Sequence, residues 1–328
     1  MLNLSTLIVP YSVLTFILSL AITIFSLSKI IPRLKDLARQ PIYSEGPKWH
    51  EVKSGTPTMG GIVFLFAFAL SVILTLALNH GSDELSSIIL LALFSVLNGG
   101  VGIFDDMMKL KHKQNKGLSA RQKILLQSVL AALFLLARAI FFGDGTEVSI
   151  FNLTLDLGIF YYPFSMVLIL GAINCANLTD GVDGLLSSVS LIISVTLTVL
   201  CVATSSPYSI LCASLVGITL GFLFFNIYPA KIFMGDTGSL FLGAFIISTL
   251  YSIKMPAAFL SVGAVFVIEG VSVILQVAVY KASGRRLFLM SPLHHHLERR
   301  GFSETQICVM AIIATLIASL PILIYEVL

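Results

Sequence analysis

Five aspartates stand in three short polar runs between long apolar stretches. They are Asp105 and Asp106 in Gly102-Ile103-Phe104-Asp105-Asp106, Asp180 and Asp183 in Asn177-Leu178-Thr179-Asp180-Gly181-Val182-Asp183-Gly184, and Asp236 in Gly235-Asp236-Thr237-Gly238-Ser239. Carboxylates are costly near a bilayer, and those that persist face a cavity or bind something. Taken singly, Asp183 and Asp236 also read as helix caps, since Asp beside Gly and Thr suits a helix start. Five on one face are more than capping needs. Carboxylate oxygens suit Mg²⁺, which takes one or two carboxylates and completes its shell with water and phosphate oxygens. The adjacent glycines would let backbone N–H groups and helix N-termini approach a phosphate. The pattern points to a nucleotide or pyrophosphate substrate. Neither a Walker-type lysine loop nor a Rossmann glycine pattern is present, which argues against a motor ATPase and a dehydrogenase.

Three further groups invite a role. The run 46–61, Gly-Pro-Lys-Trp-His-Glu-Val-Lys-Ser-Gly-Thr-Pro-Thr-Met-Gly-Gly, carries Lys53 and Thr58; Ser291-Pro292-Leu293-His294-His295-His296-Leu297-Glu298 carries three successive histidines without the HExxH metal spacing. Loop histidines are commonly inert; functional ones would donate hydrogen bonds to phosphate oxygens or a leaving group. Glu269 is the one acid deep in an apolar run. It reads as a functional carboxylate, as a neutral hydrogen-bonded acid inside the bundle, or as the mark of a helix break at Gly270.

The elements that must position these groups follow from composition. The 328 residues are 57% hydrophobic with only 11% charged, and the mean hydropathy is +0.97. A soluble globule is about a quarter charged, so a cytosolic enzyme, a disordered tail and a nucleic-acid-binding domain are excluded. Apolar runs at 6–28, 59–79, 86–104, 124–142, 158–175, 185–204, 208–228, 238–254, 257–280 and 306–327 predict ten transmembrane helices in one all-α polytopic domain over 1–328. The first run lacks a basic n-region and a cleavage motif, so it reads as a retained helix. An even number of spans puts both termini on one side. The connections 29–58, 105–123, 176–184, 229–237 and 281–305 hold 18 of the 20 basic residues, leaving Arg138 and Lys254 opposite. That bias predicts a cytoplasmic face bearing all five aspartates, and extracytoplasmic termini; most of those basic residues read as orienting charges alone. Partial alternation near 147–157 predicts a small outer β-hairpin. Cys175, Cys201, Cys212 and Cys308 lack paired spacing and read as packing residues.

At the aspartate runs the chain resembles the polyprenyl-phosphate N-acetylhexosamine-1-phosphate transferase superfamily. The run 46–61 and His294-His295-His296 narrow the likeness to its bacterial cell-wall branch, the phospho-N-acetylmuramoyl-pentapeptide transferases. The resemblance covers the whole chain; a small departure is Met107-Met108, where an aromatic or branched residue is expected. It implies transfer of phospho-MurNAc-pentapeptide from UDP-MurNAc-pentapeptide to undecaprenyl phosphate, with Mg²⁺ as cofactor and lipid I and UMP as products. It implies a multi-pass protein of the bacterial inner membrane with its site facing the cytoplasm, and it admits a homodimer. By position, Asp105, Asp106 and Asp236 form the catalytic carboxylate set and metal ligands, with Asp236 foremost. Lys53, Thr58, Asn177, Asp180 and Asp183 line the uridine and sugar-phosphate pocket, Asn226 lies nearby, and His294, His295 and His296 stand at its rim, His294 as a catalytic group.

Two schemes remain open: direct attack of the lipid phosphate, or an aspartate attacking first to give a phospho-enzyme. A phosphate monoester has a second pKa near 6 against about 3.9 for an ordinary carboxyl, so the lipid phosphate is mostly ionised at neutral pH without help. Asp105 is therefore expected to align the nucleophile or metal rather than act as a base. The isoprenoid chain needs an apolar groove, expected beside the ninth span that Glu269 and Gly270 interrupt, with the phosphate head reaching Asp105. The alternatives are a polyprenyl-phosphate GlcNAc-1-phosphate transferase, disfavoured by the first-loop run and triple histidine, and a secondary transporter, which would place its acids near the midplane and show paired repeats.

Overall fold

The computed structural model describes residues 4–37, 53, 55–78, 85–112, 117–151 and 153–327. Residues 46–52 and 54 of the first-loop run, together with Arg39, Lys113 and Lys116, lie outside the described residues. The chain folds into α1 (Leu4–Leu37), α2 (Ile62–Leu78), α3 (Leu85–His112), α4 (Ala120–Phe142), a hairpin of β1 (Glu147–Ile150) and β2 (Leu153–Asp156), α5 (Tyr161–Thr179), α6 (Leu185–Ala203), α7 (Tyr208–Asn226), α8 (Gly235–Ser252), the short α9 (Phe259–Val262), α10 (Ala264–Ser283), α11 (Leu293–Arg299) and α12 (Glu304–Val327). Each expected span meets a helix. Among the described residues, eight helices are long and apolar enough to cross a membrane, making this an all-α polytopic membrane protein; α2 is shorter, and α8 is not among the eight.

The standing of α8 follows from its place. Every residue from Thr237 to Tyr251 is buried, so it is the central rod of the bundle. A rod enclosed by protein needs small side chains more than apolar ones, because helices in lipid associate by close packing and polar contacts. Gly238, Ser239, Gly243, Ala244, Ser248 and Thr249 meet that need. Phe241 and Phe245 stack edge-on against Phe68 of α2. The same logic joins α1 to α7, where Ser12 Oγ donates to Ser209 Oγ at 3.2 Å and Ser19 Oγ to the Ser214 carbonyl at 3.0 Å. Lipid-facing surface is carried by α1, α4, α10 and α12, whose exposed side chains include Ile17, Leu133, Ile274 and Ile317.

Three boundaries differ from expectation. Helix α3 continues past Asp105 and Asp106 to His112, so the paired aspartates lie inside a helix instead of ending one. The expected ninth span 257–280 is divided between α9 and α10, and the break falls at Gly263. Helix α10 runs through Glu269 and Gly270, and Gly270 packs so tightly on Cys175 of α5 that a side chain there would collide with its sulfur. Gly270 therefore faces the bundle and not a lipid groove, and bulk added there would part α10 from α5.

Away from the aspartates, the bundle closes on Arg138. It is 4% exposed, pairs with both carboxylate oxygens of Asp144 at 2.6 and 3.1 Å, and donates to Ser87 Oγ and the Tyr251 carbonyl at 3.0 and 3.2 Å. The β-hairpin, in register Val148 to Leu155, lies at this end with the C-terminal half of α12, where Phe151 meets Tyr325. Ser12 and Tyr325 place the beginning of α1 and the end of α12 here too, opposite the aspartates. Removing one partner of a buried ion pair strands the other and costs about 3–5 kcal/mol. Arg138→Ala is expected to lower the thermal midpoint in detergent by several degrees with specific activity per folded molecule unchanged; an unaltered midpoint would show the network to be dispensable.

Candidate active site

Three of the five aspartates meet at one point. Asp105, Asp106 and Asp236 offer ligand oxygens within 4.8 Å of one another, although Asp105 and Asp106 are 0% and 3% exposed. Such burial requires compensation. Lys109, one turn along α3, sets its Nζ 2.6 Å from Asp105 Oδ2 and 3.0 Å from Asp236 Oδ1. Lys123, from the first turn of α4, sets its Nζ 3.3 Å from Asp105 Oδ1 and bonds Asp236 Oδ2. The Leu118 N–H donates to Asp105 Oδ1 at 2.7 Å.

Asp106 has a different task from its neighbour. It accepts the N–H groups of Asp236 and Thr237 at 3.1 and 3.0 Å and the Thr237 hydroxyl at 2.7 Å. It thus caps α8 from another helix, satisfying orphan donors that the local chain leaves open. Gly235 makes this approach feasible: its φ is +71°, and a Cβ there would meet Asp106 Oδ2 and Thr58 Oγ1. Thr58 reaches the same corner because the segment 57–61 pairs with 233–234, Phe233 N donating to the Pro57 carbonyl at 2.8 Å and Gly61 N to the Met234 carbonyl at 2.9 Å. Asn177, in the last turn of α5, donates to Ser239 Oγ at 2.7 Å. Neither Asp183 nor Asp236 uses its side chain to cap its own helix.

A second cluster adjoins the first. Lys53 Nζ lies 2.6 Å from Asp183 Oδ1 and 2.6 Å from Glu304 Oε2. Glu304 Oε2 also accepts the Asp183 N–H at 2.6 Å, and Asp183 Oδ2 accepts the Ala230 N–H at 2.8 Å. Burial alone would lower the Lys53 ammonium, but hydrogen bonds and charges from Asp183 and Glu304 hold it above its ordinary value. Asn226 is buried and fully engaged: its Oδ1 accepts from Gly184 N and Ser187 Oγ, and its Nδ2 donates to the Ile232 carbonyl. It clamps two turns together and presents no polar atom outward.

The three histidines divide. His294 is buried; its N–H and ring Nδ1 both reach Glu269 Oε2, at 3.3 and 3.1 Å. This supplies the partner that Glu269 lacked in sequence. Nε2 of His294 is buried with no protein partner and points at Gly181, where a side chain would collide with it. With Nδ1 engaged by Glu269, Nε2 is the ring atom turned to the Asp180–Gly184 turn. His295 pairs with Glu298 at 2.6 Å. His296 Nδ1 accepts the Leu289 N–H at 3.1 Å, directed at its own loop.

Sequence reasoning passed over Lys109, Lys123, Glu304 and Thr237 as site residues. Lys109 carried a signal, since it stands four residues from Asp105 and three from Asp106 on one helical face. The others are remote from their partners in sequence and carried none. As to a metal, Asp105 Oδ2 is buried against the Lys109 ammonium, and the three-carboxylate oxygen donor set suits a hard divalent cation. The residues fit such an ion.

Asp180 joins the two clusters. Burial, followed by the charges of Asp236, Asp106 and Asp183, pushes its carboxyl up to about 7. An unfolded aspartate releases its proton near 3.9. Between about pH 4 and 7 the folded chain therefore retains a proton that the unfolded chain has lost, and stability falls as pH rises through that window, levelling above it. In chelated buffer the thermal midpoint of the parent is expected to fall more steeply from pH 5 to 7 than that of Asp180→Asn; equal slopes would refute the raised carboxyl.

Comparison with known proteins agrees with this geometry. The profile described as "Glycosyl transferase family 4" matches residues 87–254, and the phospho-N-acetylmuramoyl-pentapeptide-transferase signature 1 matches residues 53–65. The phospho-N-acetylmuramoyl-pentapeptide-transferase of Halalkalibacterium halodurans is 43% identical over 301 residues, 90% of this chain and 91% of the relative. That of Clostridium perfringens is 37% identical over 317 residues, 96% of each chain. That of Bacillus velezensis is 40% identical over 299 residues, 90% and 91%. With identity at this level along nearly the whole length, the chain belongs to the phospho-N-acetylmuramoyl-pentapeptide transferase family.

Proposed function

We propose that this transferase moves phospho-MurNAc-pentapeptide from UDP-MurNAc-pentapeptide to undecaprenyl phosphate, forming lipid I and UMP in the first membrane step of peptidoglycan synthesis. The observation that carries the reading is the convergence of Asp105, Asp106 and Asp236 beside the Lys53–Asp183 cluster, at one end of an apolar bundle. A transporter would gather its acids near the midplane. The end bearing Lys53, Lys109 and Lys123 faces the cytoplasm of a bacterial inner membrane, in keeping with the concentration of basic residues in its loops. The ten helices cross that membrane, and the hairpin lies outside.

Phosphoryl transfer asks a protein mainly for positioning and neutralisation of charge. Asp105, Asp106 and Asp236 would hold Mg²⁺, which when bound draws off charge from the phosphate oxygens. Asp236, least encumbered by backbone donors, is the foremost ligand, and Asp106 keeps it in place through the start of α8. Lys109 and Lys123 carry positive charge to the donor's diphosphate. Lys53, Thr58, Asn177, Asp180 and Asp183 form the uridine and sugar-phosphate wall, and Asn226 holds that wall's turn. His294, steadied by Glu269, presents Nε2 toward the wall, with His295 and His296 at the rim. Asp105, held by Leu118 N–H and two ammonium groups, aligns the lipid phosphate or the ion.

Purified protein given undecaprenyl phosphate and Mg²⁺ should release UMP from UDP-MurNAc-pentapeptide and not from UDP-GlcNAc. Release from the second donor only would reassign the substrate. No release from either, with Asp236→Asn indistinguishable from the parent, would sink the reading. Asp105→Asn should cut turnover by about two orders of magnitude and leave the pH profile of the residual rate unchanged. A residual profile without its acidic limb near pH 6 would make Asp105 a general base.

A further inference from the structure

At the end opposite the aspartates, where α8 leaves the bundle, an open depression of about 470 Å³ is walled in part by Arg138, Asp144, Ser205, Ser252, Lys254 and Glu326. We infer that it binds the headgroup of a zwitterionic aminophospholipid, of the phosphatidylethanolamine class, from the leaflet on that side.

The charges define the occupant. Arg138 and Asp144 pair with each other and cancel, which leaves Lys254 and Glu326. Among the described residues neither side chain has a hydrogen bond or an ion pair, and they do not bond each other although they line one depression. Opposite charges held apart in one wall are matched by a ligand that carries both. A phosphodiester at Lys254 and the neighbouring serine hydroxyls, with a primary ammonium at Glu326, completes them by charge-assisted bonds.

The backbone supplies a second reason. Helices α6 and α8 end alike: Ser206 N donates to the Cys201 carbonyl at 2.7 Å and Ser205 N to that of Val202 at 3.0 Å, as Met255 N does to Leu250 at 2.8 Å and Lys254 N to Tyr251 at 3.0 Å. This closure needs a left-handed residue, usually glycine, and Gly143, Gly284 and Gly301 fill the left-handed place after α4, α10 and α11. After α6 and α8 the place is held by Ser205 and Lys254, at φ +52° and +60°. Both helices accept that strain, and both side chains so placed line the depression. Ser252 Oγ, in the same wall, is buried without a partner.

The edge of the depression is lipid-facing. Phe141 of α4, Val199 of α6 and Ile324 of α12 are 76%, 40% and 56% exposed, beside the lining residues Phe142, Leu200 and Glu326. Acyl chains lying along these helices therefore bring a headgroup to the charges, whereas a soluble zwitterion gains nothing from an apolar rim. The volume suits a small organic group.

The test uses full-length protein stripped of lipid in a neutral detergent. Phosphatidylethanolamine, phosphatidylglycerol and phosphatidylcholine with the same acyl chains are added in turn, bound lipid is counted by native mass spectrometry, and the thermal midpoint is followed. The parent should bind one phosphatidylethanolamine about tenfold more tightly than either other lipid, the scale of one charge-assisted hydrogen bond, and its midpoint should rise by several degrees with that lipid. Lys254→Gln should weaken this binding about tenfold. Glu326→Gln should bring phosphatidylethanolamine down to the level of phosphatidylcholine, whose quaternary ammonium donates no hydrogen bond. Ser205→Gly relieves the left-handed strain, so its lipid-free midpoint should equal or exceed the parent's while its gain from phosphatidylethanolamine shrinks; this variant keeps the test open should the charge variants fold poorly. Equal affinity for the three lipids, a preference for phosphatidylglycerol, or variants with the parent's affinity would overturn the inference. Equal stabilisation by glycerophosphoethanolamine, which lacks acyl chains, would assign the depression to a soluble zwitterion and overturn it too.

Discussion

Three carboxylates buried together at the end of an apolar bundle are the constraint on which the rest of this structure depends. Unpaired, each would cost several kcal/mol to desolvate, and side by side they repel. The chain answers with two ammonium groups, from Lys109 and Lys123, and with backbone N–H groups at Leu118, Asp236 and Thr237. Each answer dictates an element. Helix α3 must continue beyond Asp106 to carry Lys109. Helix α4 must begin where Lys123 can fold back. The central helix α8 must start at a glycine, so that its first turn closes directly over Asp106.

Around that centre, the loops hold one another more than they are held by the helices. Asp183 joins the segment at Lys53, the turn after α7 and the start of α12. Asn226 joins the turn before α6 to the strand-like run at Ile232. Glu269 reaches out of α10 to fix the beginning of α11. Polar groups that would be expensive in a lipid-facing position are thus spent at the one end where loops need precise mutual placement. The opposite end is closed by a single arginine network and a hairpin.

Much of this was legible in the residues. The ten apolar runs all became helices, and the aspartate runs that drew attention by their rarity in an apolar chain came to one place. What could not be read was pairing across distance. Lys123 and Glu304 looked like ordinary charges at helix starts, because nothing local marks a side chain whose partners stand 113 or 251 residues away. Asp106 and Asp236 looked alike, whereas one organises a helix terminus and the other keeps its carboxylate for ammonium groups. Glu269 needed His294, across the turn from α10 to α11, before its burial made sense. The alternative of a helix break at Gly270 failed for a related reason. A glycine in an apolar run marks either a bend or a close neighbour, and here the neighbour is Cys175.

The lysine pair has a consequence for biogenesis. A membrane protein whose acidic centre required a divalent ion for neutrality would have to acquire that ion while its helices were assembling. Here the counter-charges are encoded in the chain, on helices adjacent in sequence, so they arrive at the aspartates as α3 and α4 come together. Assembly therefore calls on no outside cation: the bundle reaches its final shape with Lys109 and Lys123 already beside the carboxylates.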